Sequence, residues 1–274
     1  MIVSSIVNIA LDLFFIALLK MGVGSAAAAT IISQYISAGL CLYLLLTTTG
    51  THRIILSKIK IHKEYLGEIL KYGLPSGFQN SIIGLANVVV QSNINSFGDM
   101  AMAGCGAYSK IEGFAFLPIT SFTMALTTFV GQNLGARQYD RVLKGAKFGM
   151  MCSMILAEII GVIIFVFGSQ FIAAFDATPE VIQFGTLRGQ TSAFFFCLLA
   201  YSHCVSAILR GAGKSMVPMI VMMVCWCFVR VAGLTIMGML IHNIWCVYWI
   251  YPITWSLSSI TFFIYYHKVD WLHA

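Results

Sequence analysis

The chain has 274 residues, 59% of them hydrophobic and only 9% charged, where a soluble domain carries about a quarter charged residues. This excludes a water-solvated globular domain. The net charge of +6 does not mark a nucleic-acid binder either, because the basic residues sit in short connections between long apolar blocks, where membrane topology places them.

A bilayer core needs about 20 apolar residues per helix, and such blocks recur at 1–19, 25–47, 74–97, 101–132, 146–167, 181–209, 216–238 and 244–266. Backbone groups in lipid must be satisfied within the segment, so these predict an all-α integral membrane protein of about eight transmembrane helices. The first block is expected to be a retained span, not a signal peptide: it lacks a basic leader, and Asn8 and Asp12 interrupt it. Asn8 and Asp12 are four apart and share a helix face. Thr30, across a short turn, lies at comparable depth on the next span. An ionised carboxylate inside a bilayer costs at least about 3 kcal/mol, so Asp12 is expected to face a cation, a cavity or a basic partner. Three such oxygens suit Na⁺, and a desolvated carboxyl suits H⁺.

The longest polar connection, 48–73, contains IKIHKEYLGEILK, with the spacing of an amphipathic helix on the membrane surface. The third span then opens at Pro75, where a first-turn proline loses no helical bond. It carries Gln79, Asn80, Asn87, Gln91 and Asn95, of which Asn80, Asn87 and Gln91 follow one helical face. Amides on one face serve an aqueous path for organic solutes or bonds between helices. In the fourth span, SKIEGFAFLP places Lys110, Glu112 and Pro118 together. Proline permits a bend, and a pair with Lys110 or Arg230 is the expected state of Glu112. Glu158 in the fifth span is open between a functional carboxyl and a local ion pair. Of the remaining basic residues, Arg188 is expected near a span end, where it can snorkel, whereas Arg230 lies deep enough to need an acidic, carbonyl or aqueous partner. His203 is expected to be simply hydrogen-bonded. Trp245, Tyr248, Trp249, Tyr251 and Trp255 of the last span are expected mainly in packing and interfacial belts.

Twelve of the sixteen Lys and Arg fall in one set of alternate connections and only Lys20 falls clearly in the other. The positive-inside rule makes the first side cytoplasmic and puts both termini there. The eight cysteines show no CxxC or Cys/His ligand spacing and are expected to act as small buried hydrophobes. No HExxH, GxSxG, P-loop or paired intramembrane aspartates occur, so neither an enzyme nor ATP-driven transport is expected. A weak internal echo sets Met1, Ile2 and Val3 opposite Met219, Ile220 and Val221, and at that offset Asp12 falls opposite Arg230. A parallel repeat of six-helix lobes would produce it.

The segments YGLPSGFQNSIIGLANVVVQSNINSFG, YSKIEGFAFLPITSFTMALTTFVGQNLGARQYDR and ILRGAGKSMVPM resemble helices seven, eight and ten to eleven of the multidrug and toxic compound extrusion (MATE) family. The resemblance covers essentially the whole chain, and GQNLGA and LRGAGKS are its most specific parts. It implies residues 1–47 as the last two helices of an amino-terminal lobe, 48–73 as a cytoplasmic amphipathic linker, and 74–274 as a complete six-helix carboxyl-terminal lobe. It implies a Na⁺- or H⁺-coupled antiporter exporting cationic or amphipathic compounds and drugs across a plasma membrane, a bacterial inner membrane fitting best. No cofactor is implied besides the coupling ion. The cation site falls on Asn8, Asp12 and Thr30, which would be metal ligands if that ion is Na⁺. The substrate cavity falls on Gln34, Gln79, Asn87, Gln91, Glu112 and Arg230.

The family's first-helix Asp has no counterpart, nor does the seventh-helix Glu used by some members. The chain is therefore expected to be incomplete, or completed by a second chain supplying the missing helices, with the bilayer and small organic cations as its other partners. The competing expectations are a lipid-linked oligosaccharide flippase of related architecture, which would line its cavity with more basic residues than Arg230, and an inactive membrane remnant.

Overall fold

The computed structural model describes residues 2–22, 24–50, 53–241 and 243–272, which form helices and connections with no strand among them. Two compact units divide the chain, Met1–Lys63 and Glu64–Ala274.

The first unit is a helical hairpin. Helix α1 (Ile2–Asp12) runs into a π-helical segment, Leu13–Leu18, and a turn leads to α2 (Gly24–Thr47). The small face Ser25, Ala29, Ser33 of α2 is buried while nearly all its large apolar side chains are exposed. That pattern belongs to helices whose solvent is lipid, where small residues let backbones approach. A 3₁₀ turn, Leu56–Lys58, follows.

The second unit holds α3 (Lys63–Asn95), α4 (Asp99–Gly135), α5 (Tyr139–Ala173), α6 (Pro179–Ala193), α7 (Phe196–Gly211), α8 (Met216–Met222), a π-helical segment Met223–Phe228, α9 (Val229–Leu240) and α10 (Ile244–Lys268). Helices α4 to α7 pack on one another, and α10 lies against α6, α7 and α9. The core is built from Ile119, Val130, Phe196, Leu199, Ile208, Trp255 and Phe262. Val90 and Ile94 anchor α3 in a second cluster with Cys105, Leu234 and Val247. Glycines set the closest crossings. A Cβ on Gly211 would stand 2.6 Å from the Thr127 carbonyl oxygen and 2.9 Å from the Val130 Cβ. The two motifs GQNLGA and LRGAGKS are thus the facing halves of one α4–α7 contact, with Gly131 itself close to the Gly211 carbonyl. Gly213, two residues on, takes φ +78°, a left-handed conformation that glycine accepts freely.

Among the described residues, five helical stretches are long and apolar enough to cross a bilayer, or six if the pair α6 and α7 counts as one. The other two expected spans differ for physical reasons. The α1 stretch is short, and α3 is long but diluted by its amides. Three local expectations change. Pro75 lies inside α3, because the helix begins at Lys63 and takes up the second half of the expected surface helix. The expected sixth span is broken: α6 and α7 meet at 59°. Glu158, open between a functional carboxyl and a local ion pair, makes a contact that neither described: its Oε2 accepts the Cys197 N–H at 3.1 Å and so caps α7 at that break.

Candidate functional site

In the first unit the depth argument set Asp12 level with Thr30, and it is Asn8 whose amide donates to the Thr30 hydroxyl oxygen, at 3.5 Å. Thr30 in turn donates to the Ala26 carbonyl at 2.9 Å, a bond internal to α2. Asp12 is half-buried, and its Oδ1 is shielded without a hydrogen-bond partner among the described residues. Asp12 is also the last α-helical residue before the π-helical segment. A π turn admits one extra residue, turns the following face, and is common at functional sites. The unit therefore presents two neutral oxygen-bearing side chains in contact and, one turn along the helix from Asn8, a carboxylate oxygen with no partner.

The second unit holds a half-open cavity of about 420 Å³. One amide face of α3 lines it through Asn80, Asn87 and Gln91, with Ser109 and Glu112 of α4, Arg188 of α6, His203 of α7, Trp226, Arg230 of α9, and Tyr251 and Trp255 of α10. Of the residues expected at a substrate cavity, Asn87, Gln91, Glu112 and Arg230 come together here. Gln79 does not. It is one position off Asn80 and shares the side of α3 with buried Ala86, so it turns into the packing, where its Oε1 has no hydrogen-bond partner among the described residues. Gln34 belongs to the first unit and is exposed on α2.

The charges are arranged otherwise than expected. Glu112 pairs with Arg188, Nη2 to Oε2 at 3.8 Å, both side chains being largely buried. Lys110 is exposed, as the next-but-one position on a helix must be when Glu112 faces inward. Arg188 does not snorkel. It is 5% exposed, donates to the Cys105 carbonyl at 3.2 Å, and lies 5.2 Å from the Tyr108 ring and 5.1 Å from the Tyr251 ring. Arg230 is 2% exposed. It donates to the Thr254 hydroxyl at 3.0 Å and the Asn87 amide oxygen at 3.5 Å, and lies 4.7 Å from the Tyr251 ring and 5.2 Å from Trp226. Its Nε has no hydrogen-bond partner among the described residues. His203 also departs from expectation: among the described residues its Nε2 has no hydrogen-bond partner, and the ring stands edge-on to Phe116 and Trp226. The aromatic residues of α10 divide between roles. Trp245 and Trp249 are exposed, Tyr248 donates to the Phe184 carbonyl at 3.1 Å, and Tyr251 and Trp255 line the cavity.

Residues 75–236 match the MatE family. The chain belongs to this family. Among curated proteins it is 28% identical over 204 residues to a probable multidrug resistance protein NorM of Thermotoga maritima, covering 74% of this chain and 43% of that one. It is 27% identical to a probable multidrug resistance protein YpnP of Bacillus subtilis, covering 82% and 50%. Among solved structures, MATE in complex with MaL6 superposes with a TM-score of 0.87 at 21% identity, over 96% of this chain and 60% of that one. The chain spans about half the length of the curated relatives it matches. The MATE architecture, an all-helical multi-pass membrane protein of a multidrug efflux family, is thereby established.

Proposed function

We propose that the chain is part of a cation-coupled antiporter that exports amphipathic organic compounds, drugs included, across a plasma membrane, with both termini on the cytoplasmic side. One observation carries the coupling half of this reading: a carboxylate oxygen of Asp12, shielded and without a hydrogen-bond partner among the described residues, one turn from the Asn8–Thr30 contact. A carboxylate so placed gains from a bound Na⁺ or H⁺ what lipid denies it. Residues 1–47 and 74–274 act as parts of two lobes, and the cation and the organic compound favour opposite lobe arrangements, so that each weakens the other's hold. The basic connections support the orientation.

The test is gradient-driven efflux of ethidium from membrane vesicles carrying the protein, with a Na⁺ or a H⁺ gradient imposed separately. Asp12→Asn is expected to bring flux to background under the gradient that drives the parent. Undiminished flux in Asp12→Asn would remove the coupling role. A second reading has one observation in its favour. Arg188 joins Arg230 in the cavity, and a lipid-linked oligosaccharide flippase would need such added basic residues; ethidium flux tells against it.

A further inference from the structure

The cavity of the second unit has an unbalanced charge. Its lining includes two guanidiniums, Arg188 and Arg230, and one carboxylate, Glu112. That carboxylate is committed to Arg188 by the ion pair. Arg230 has no carboxylate within 4.0 Å among the described residues, and its neighbours supply only a hydroxyl, a distant amide oxygen and two aromatic rings. An arginine offers five N–H donors in a planar fork, and a carboxylate or phosphate takes two of them side by side. The Thr254 hydroxyl and Asn87 amide leave Nε unpartnered on a side chain only 2% exposed. A buried cation without an anion is expensive, and the packing that holds Arg230 there fixes the fork as a ready-made receptor.

The geometry points to this cavity as the binding site for the oxyanion group, carboxylate or phosphate, of an amphipathic organic solute. Arg230 is the counter-ion, and Trp226, Tyr251 and Trp255 are the bed for the apolar body. The volume of about 420 Å³ is in the range of small-molecule pockets, which are apolar with a few fixed polar groups. This adds to the transport reading, on which it rests for its biological meaning, solutes that carry a negative group beside the organic cations that ethidium efflux probes.

Binding needs no gradient, so it is measured apart from flux, by calorimetry on the purified chain in nanodiscs. The probes are 2-naphthoate, farnesyl phosphate and, as the opposite charge on the same ring, 2-naphthylmethylammonium. The expected result is binding of an anionic probe in preference to the ammonium. Arg230→Gln is expected to weaken that binding by about tenfold or more, the loss of a charge-assisted hydrogen bond, and Arg230→Lys by less. Glu112→Gln is expected to move the two charges in opposite directions, tightening the anion and weakening the ammonium. A preference for 2-naphthoate marks a soluble aromatic anion as the source; a preference for farnesyl phosphate marks a lipid phosphate. Tighter binding of the ammonium, anion binding indifferent to Arg230→Gln and Arg230→Lys, or no anion binding at all overturns the inference. Lost flux in Asp12→Asn with anion binding intact separates this site from the coupling site.

Discussion

Replacing Glu112 by Gln tests whether the Arg188–Glu112 pair is a working interaction of the second unit. The pair is separated by 3.8 Å with side-chain exposures of 6% and 13%, so solvent screens it little. At an effective dielectric near 20 its Coulomb attraction is about 4 kcal/mol. Glutamine keeps an oxygen that can accept from Arg188 but leaves two guanidiniums without a carboxylate among the lining residues. A loss of about 3 kcal/mol follows, at the lower edge of what breaking a buried pair costs. The partner change, Arg188→Met, removes one guanidinium and also the Cys105 carbonyl bond and the contacts with Tyr108 and Tyr251. Glu112 still faces Arg230 across the cavity in that variant. The double variant is then expected to be less destabilised than the sum of the singles, with a coupling of about 1–3 kcal/mol. The assay is the midpoint of SDS-induced unfolding in mixed micelles, followed by circular dichroism, for the four members of the cycle. Additivity to within about 0.5 kcal/mol, or a Glu112→Gln chain as stable as the parent, would show that desolvation cancels the attraction and refute the reasoning.

Gly211→Leu puts a Cβ against the Thr127 carbonyl and Val130, and the forced separation of α4 and α7 is expected to cost about 1–3 kcal/mol in the same unfolding assay. Gly39→Leu meets nothing within 4 Å and is expected to be silent beside it. Glu158→Ala strips the acceptor from the Cys197 N–H at the α6–α7 break and is expected to cost about 1–2 kcal/mol, with faster amide exchange at Cys197, whereas Glu158→Gln keeps an acceptor and is expected to be milder. In the connection between α5 and α6, the hydrogen bonds from Thr178 hold the Asp176 carboxyl below the usual carboxylate range. Its contribution is therefore present above the unfolded value of about 3.9 and fades as pH falls through the lower folded value. The difference in thermal midpoint between the parent and Asp176→Ala is expected to be small at neutral pH and to vanish in that acid window.

Much of the architecture was legible because lipid imposes a simple rule. A helix that must be apolar all round announces itself in composition alone, which is why α2, α4, α5 and α10 stand close to the expected blocks. Helical spacing likewise set Asn80, Asn87 and Gln91 on one lining face. The failures came where a local bend changes which way a residue points. Arg188 reads as a span-end residue only if the stretch 181–209 is one straight helix. The 59° break after Ala193 makes α6 a short separate element whose Arg188 turns inward. The signal was available in Glu158, a carboxylate in an apolar helix with no basic residue at helical spacing, which is the acceptor that such a break requires. Pairing of charges is a property of three dimensions. Lys110 was near Glu112 in sequence and on another face of α4, whereas Arg188 was 76 positions away in numbering and within reach.

The two units solve the same problem, a charge on an apolar helix, with the same backbone device used in different registers. In the first, Asp12 ends the α-helical stretch and the π segment Leu13–Leu18 follows it. In the second, the π segment Met223–Phe228 comes first, and Arg230 lies just beyond it on α9. The offset that sets Asp12 opposite Arg230 therefore aligns the charges and not the π turns. A π turn rotates the downstream face relative to the upstream one, so placing it after the charge or before it chooses which half of the helix is re-aimed. After Asp12 the re-aimed half is the apolar one, and the carboxylate keeps the face it shares with Asn8. Before Arg230 the re-aimed half carries the charge itself, and the guanidinium arrives at Asn87, Thr254 and Tyr251. The result is a division of sign: among the described residues, a shielded acidic oxygen without a hydrogen-bond partner in one unit and a buried guanidinium without a carboxylate within 4.0 Å in the other.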